Sequence, residues 1–153
     1  MEQKNIRLSR QVLEKHRKEI KKLNEFLDKI LELLKEKIIS IVLIGSRARF
    51  DFNIGSDIDL IIIGTWSEKI LFNRINEIKE IIQLPLLPID ICLYTPEEII
   101  QLIDQGNPLI LDGFIEGTCL FNQKYYDQIH NEIKNRISRG SLSKVKELWK
   151  VKY

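Results

Sequence analysis

Residues 57–64, Asp-Ile-Asp-Leu-Ile-Ile-Ile-Gly, set two carboxylates directly in front of an unbroken apolar run. Four apolar residues, three of them β-branched and closed by glycine, describe a short buried strand better than a helix. The same pattern occurs at Ile38–Ile44, stopped by Gly45, and at Ile89–Tyr94, entered after Pro85 and Pro88. Thr118–Phe121 predicts a fourth, short strand. Strands of this kind need helices over them, and the rest of the chain supplies helical periodicity.

Over the first 38 residues Leu8, Val12, Ile20, Leu23, Leu27, Ile30, Leu34 and Ile38 recur near a 3.6 spacing. The segment is long for one globular helix and is expected to break before Lys21, although no Pro or Gly marks the place. His16 falls on this stripe and is assigned no role. Ser67–Ile82 reads as a helix capped by Ser67, and Thr95-Pro96-Glu97-Glu98 as a capped start with proline in the first turn. Leu109–Ile115 is expected to be a short helical or irregular piece. Tyr125, Ile129, Ile133 and Ile137 stripe a further helix that stops near Gly140, and Leu142, Val145, Leu148 and Trp149 suggest a last short one. The expected fold is one α/β (α+β) domain, with a small mixed sheet of about four strands covered by helices. Residues 1–37 form its N-terminal helical segment, 38–122 its core and 123–153 a C-terminal helical extension.

A chain of 153 residues with 44% apolar and 30% charged residues can bury its own core. Its apolar runs fall far short of the roughly 20 residues of a membrane span. The charged N-terminus lacks the apolar stretch of a signal peptide, and Cys92 and Cys119 make neither a disulfide framework nor a zinc spacing. A cytoplasmic, reducing setting without membrane attachment is expected. Charge is distributed unevenly: residues 1–40 carry 11 basic and 7 acidic groups, 41–122 carry 5 and 12, and 123–153 carry 8 and 3. An acidic centre between basic ends suits a carboxylate-rich site that takes a cation, and equally suits solvated helix faces.

Candidate chemistry is concentrated in residues 45–59. Gly45 ends a strand and admits close approach of a ligand or another backbone. Ser46 follows at the start of a possible helical turn, where a hydroxyl and free amides suit a phosphate. Arg47 and Arg49 add two positive charges. Asp57 and Asp59 stand at i and i+2 on a strand, so they share a face roughly 7 Å apart at the backbone. Two carboxylates held there repel unless a divalent cation lies between them. Asp90 interrupts the apolar strand 89–94, where an unpartnered acid is costly. Neighbouring strands would let it join Asp57 and Asp59.

Gly45-Ser46, ten residues, then Asp57-x-Asp59 with Asp90 on a later strand resembles the signature of the DNA polymerase β-type nucleotidyltransferases, most closely their minimal, stand-alone members. The segments Leu93–Glu98 and Asn107–Gly117 are similar to parts of those proteins, so the likeness covers about residues 38–122. The resemblance implies the polymerase β-type nucleotidyltransferase fold. It implies Asp57, Asp59 and Asp90 as metal-binding and catalytic residues, holding two Mg2+ ions. Gly45 and Ser46 would hold the phosphates of a nucleoside triphosphate, ATP favoured, and Arg47 or Arg49, of which Arg49 is favoured, would neutralise charge on the departing pyrophosphate. One departure is Phe50, at a position where the family usually has glycine.

Transfer of a nucleoside monophosphate to an acceptor hydroxyl is the implied reaction. The resemblance makes a helical HEPN-type partner protein a candidate acceptor, in a toxin–antitoxin pair. The alternatives are transfer to a small molecule of the antibiotic type, and an idle nucleotide-binding antitoxin or regulatory module. Lys134, Arg136, Arg139, Lys144, Lys146, Lys150 and Lys152 also allow weak, salt-sensitive nucleic-acid binding, the less favoured reading. The long N-terminal stripe predicts that its first part, around Leu8–Ile20, packs on another copy or on a partner.

Overall fold

The protein is described by a computed structural model covering residues 10–81, 83 and 87–153. Leu8, Ile82 and Pro85, used in the sequence reading, lie outside the described residues. The elements run α1 (Arg10–Leu34), β1 (Ile38–Ile44), α2 (Gly45–Arg49), β2 (Ile58–Gly64), α3 (Leu71–Ile81), β3 (Ile89–Tyr94), α4 (Pro96–Asp104), α5 (Pro108–Glu116), β4 (Thr118–Phe121), α6 (Gln123–Ser138), β5 (Leu142–Val145) and β6 (Leu148–Val151).

Strands β1 to β4 form one mixed sheet in the order β3-β2-β1-β4. β1 is antiparallel to β2 and β4, while β2 and β3 run parallel. The alternation of side chains splits the core in two. Ile41, Leu43, Ile58, Leu60, Ile62 and Leu93 point to one face, where α1 and α3 bring Leu23, Phe26, Ile30 and Ile78. Val42, Ile44, Ile61 and Ile63 point to the other, covered by α4, α5 and α6 through Ile99, Ile103, Phe114 and Ile133. Helices on both faces explain why Ile41–Ile44 of β1 and Leu60–Ile63 of β2 are apolar at every position.

Helix α1 runs unbroken for 25 residues from Arg10, so among the described residues the break expected before Lys21 does not occur. Nothing in Arg10–Leu34 interrupts helical hydrogen bonding, and the i,i+4 pairs Glu14–Lys18 and Lys15–Glu19 support its first half. α3 starts at Leu71, four residues later than expected, because Ser67 does not cap it. The Ser67 hydroxyl donates instead to Glu77 Oε1 at 2.8 Å. The segment 108–116, whose regularity the sequence left open, is helical: Asn107 Oδ1 caps it by accepting from the Ile110 amide.

The last predicted helix is an antiparallel hairpin. Gly140, at φ 78°, ends the α6 segment, and Leu142 pairs with Val151 and Lys144 with Trp149. Leu142, Val145, Leu148 and Trp149 fit helical spacing as text, but the hairpin divides them. Leu142 is buried and Trp149 packs on the core, whereas Val145 and Leu148 are 50% and 70% exposed. The C-terminal extension is therefore one helix and a hairpin. Among the described residues no helix is long and apolar enough to cross a membrane.

Candidate active site

The sheet delivers two acids to one place. In the parallel pairing of β2 and β3, Asp59 is the register partner of Asp90, so the two carboxylates lie side by side. Across the antiparallel pairing Asp59 stands opposite Ile44, the last residue of β1 before Gly45. Gly45 takes φ +70°, and a Cβ there would come within 2.6 Å of Asp59 Oδ2. Only a residue without a side chain allows the chain to turn against that carboxylate. Asp57 is exposed just ahead of β2, and Ser46 is half-buried beside Gly45.

Asp59 registers both neighbours electrostatically. Its carboxyl is pushed above the ordinary value, first by burial, then by the charges of Asp90 and Asp57, while Arg49 pulls it back down. Asp57 and Asp90 thus both act on Asp59, which by strand alternation lies with Ile61 and Ile63 on the face covered by α4 to α6. Among the described residues no three His, Cys, Asp or Glu side chains form a ready-made metal cage. The donor chemistry nevertheless fits a hard cation. Three carboxylates offer only oxygen, Asp59 is destabilised by both of the others, and a divalent ion would offset that repulsion.

The two arginines of the motif separate. Arg49 lines a cleft of about 380 Å³ together with Gly45, Asp59, Pro108, Asp112 and Glu116. It holds Asp51 at 3.1 Å and Glu116 at 3.4 Å. Arg47 turns the opposite way and is buried at 4% exposure against α1. Its guanidinium reaches His16, Glu19 and the Ser56 carbonyl and stacks 4.5 Å over the Phe52 ring. His16, given no role from the sequence, is therefore a partner of the motif.

Phe50 sits at the C-cap of α2 with φ 64°, ψ 29°, the left-handed conformation that a glycine adopts at no steric cost. Its amide donates to the Ser46 carbonyl. The chain thus keeps the turn that the usual glycine would make, and the phenyl ring meets His16 and Phe52 edge-on at 5.9 and 5.3 Å.

Helix α5 forms a wall of the cleft that sequence reasoning missed. Gly113 allows it to lie close on the sheet, since a Cβ there would sit 3.1 Å from Ile44 Cγ2. Asp112 and Glu116 then face the motif from across the cleft. Asp112 Oδ1 also accepts from Lys144 Nζ at 2.7 Å and Trp149 Nε1 at 2.9 Å, which ties the hairpin to this wall. The available signal was Asn107-Pro108 as a helix start, with Gly113 marking a close approach.

The nucleotidyltransferase-domain family matches the chain over residues 13–112. No curated protein matches it. Among solved structures, a provisionally assigned nucleotidyltransferase from Sulfolobus solfataricus is similar at a TM-score of 0.56 and 16% identity, covering 78% of this chain and 95% of that one. At that identity the likeness speaks for the fold alone. A toxin–antitoxin structure with AMP-PNP is similar at 12% identity, covering 77% and 88% of the two chains. A mutant of the toxin–antitoxin MntA-HpeT is similar at 11% identity with the same coverage. Both of these have TM-scores of 0.49 and fix nothing about this chain. The family match spans 100 of 153 residues and contains Gly45, Ser46 and all three acids: the chain belongs to the nucleotidyltransferase-domain family.

Proposed function

We propose that this chain is a magnesium-dependent nucleotidyltransferase that moves AMP from ATP to an acceptor hydroxyl, and that the acceptor belongs to a helical HEPN-type partner protein toward which the chain acts as antitoxin. The observation that carries the transferase reading is the side-by-side placement of Asp59 and Asp90 against Gly45, with Asp57 adding its charge. Gly45 and Ser46 offer room and donors for the β- and γ-phosphates. Arg49, held loosely between Asp51 and Glu116 at the surface, can turn to the departing pyrophosphate.

Asp57, Asp59 and Asp90 would hold the magnesium, which supplies charge neutralisation for the triphosphate and for the oxygen that leaves the α-phosphorus. The chain's own part is division by position. Asp57 and Asp59 adjoin the phosphate turn and serve nucleotide binding. Asp90 enters from a separate strand and accepts the proton of the incoming hydroxyl. The partner assignment rests on the resemblance to minimal members of the family.

The test combines calorimetric titration of ATP, with and without magnesium, with transfer from α-labelled ATP to a HEPN-type protein encoded beside this chain. Label on the partner, lost in Asp90→Asn, is expected. Absence of magnesium-dependent ATP binding overturns the transferase reading. Binding without label on the partner overturns the acceptor assignment.

A further inference from the structure

The loop joining the phosphate turn to the first acids, residues 50–56, has no regular hydrogen-bonded structure of its own beyond the Asn53–Ser56 turn. It is held from α1. Arg47 Nη1 meets His16 Nδ1 at 2.6 Å, and Nη2 donates to Glu19 and, at 2.9 Å, to the Ser56 carbonyl. The His16 ring stacks on Phe52 at 4.3 Å, and Lys15 Nζ donates to the Ile54 carbonyl at 2.6 Å. Glu19 and Arg47 are both buried, and Arg47 Nε has no hydrogen-bond partner among the described residues. A guanidinium so enclosed is costly to bury, and its bonds to Glu19, His16 and Ser56 are what offset that cost.

The chemistry of the contact fixes the state of His16. Arginine can only donate, so Nδ1 must accept, and the imidazole is neutral with its proton on Nε2. A proton on Nδ1 would replace the lone pair facing Arg47 with a second cation. We infer that His16, Glu19 and Arg47 form a clamp that positions residues 50–56 for nucleotide binding, and that protonation of His16 opens it. This rests on the reading of the site as a nucleotide site. Among the described residues, the charged groups that face His16 are Arg47 from α2 and Glu19 from its own helix; Phe50 and Phe52 enclose it from the loop without charge. Burial and Arg47 hold the imidazole below its ordinary value against the opposing pull of Glu19, so the clamp stays closed at neutral pH.

His16, Glu19 and Arg47 are positioning residues, and a titrating switch distinguishes them from simple packing. The experiment measures magnesium–ATP affinity at about pH 8 and about pH 5.5 for wild type and His16→Gln, whose amide oxygen can accept from Arg47 without titrating. Wild type is expected to lose about tenfold more affinity on acidification than His16→Gln, a mid-range coupling between two sites. Equal losses in the two proteins overturn the switch. Independently, hydrogen-exchange protection of amides 50–56, taken relative to β1, should fall on acidification in wild type alone. Unchanged protection overturns the clamp without reference to nucleotide. A wild type that binds no nucleotide at either pH overturns the reading of the site instead, and the exchange comparison then decides the clamp.

Discussion

Gly45, the first residue after β1, approaches Asp59 of β2 so closely that a methyl group on it would press on the carboxylate, 2.6 Å from Oδ2. Gly45→Ala should therefore act twice. The positive φ costs about 1–2 kcal/mol of folding stability for a residue with a Cβ. Displacement of Asp59 should cut transfer by about 100-fold, the scale of a roughly 1 Å misplacement at a reacting centre. Thermal melting beside a labelled-nucleotide assay checks both. Full activity in this variant would remove Asp59 from the site.

The acids should divide their labour. Asp57→Asn and Asp59→Asn are expected to weaken magnesium–ATP binding itself. Asp90→Asn should keep binding within a few-fold and lose transfer by roughly 100-fold or more, as for a lost general base. Calorimetry with and without magnesium on the three variants separates the cases, and equal binding by wild type and the first two variants would sink the assignment.

Asp59 also makes a prediction about stability. Its folded-state value is raised, so its contribution favours folding only under acid conditions and is lost once the carboxyl ionises. In magnesium-free buffer at neutral pH, Asp59→Asn should melt above wild type. Added magnesium should narrow that gap by restoring the wild type. A variant that melts below wild type without magnesium contradicts the account.

Phe50 spends conformational energy at φ 64° and recovers part of it through His16 and Phe52. Its side chain is about half exposed, so Phe50→Gly trades strain against partial burial and should change stability by less than about 1 kcal/mol. Phe50→Val puts a β-branched residue in the left-handed region and should cost about 1–2 kcal/mol more than the glycine variant. Urea denaturation of the pair orders them, and equal stability of Val and Gly would show that the turn relaxes.

Helix α3 is tied to the start of α4 by Arg74, 3% exposed, which donates to both oxygens of Glu98 at 2.6 and 2.7 Å. Glu98 is also the reciprocal partner of Thr95 in a capping box. Arg74 and the Thr95 amide hold its carboxyl below the ordinary value against the opposing effect of burial. A depressed acid stabilises the fold above its unfolded value and loses that contribution as pH falls through the folded one. Denaturation midpoints should drop below about pH 4.5 more steeply in wild type than in Glu98→Gln. That variant should lose about 1–3 kcal/mol at neutral pH, because Arg74 keeps only a neutral partner.

Much of this arrangement is legible in the order of the residues. Ile38–Ile44, Leu60–Ile63 and Ile89–Tyr94 are short, β-branched and bounded by glycine or proline, so their identity as strands depends on local sequence alone. The hairpin was hidden because Leu142, Val145 and Trp149 satisfy helical spacing, and four-residue strands offer too few alternations to compete. The Arg47 cluster was hidden for a different reason. Its partners Glu19 and His16 are 28 and 31 residues away, and nothing local separates a buried arginine from the exposed Arg49 two positions on. Asp112 and Glu116 read as the wet side of a helix until Gly113 brings that helix onto the sheet.

The parallel pairing of β2 with β3 makes the alignment of Asp59 and Asp90 a discrete quantity. Slippage by one residue would not loosen the acid pair by degrees; it would turn Asp90 to the α1 side and bring Ile89 or Ile91 level with Asp59. Leu93 lies in the α1-side core, while Cys92 and Tyr94 pack on the other, so each step of slippage also inverts three side chains between the two apolar layers. The level pairing of the two acids is thereby a property of the sheet itself: the two apolar layers, which accept β3 only in whole steps of two residues, do the counting.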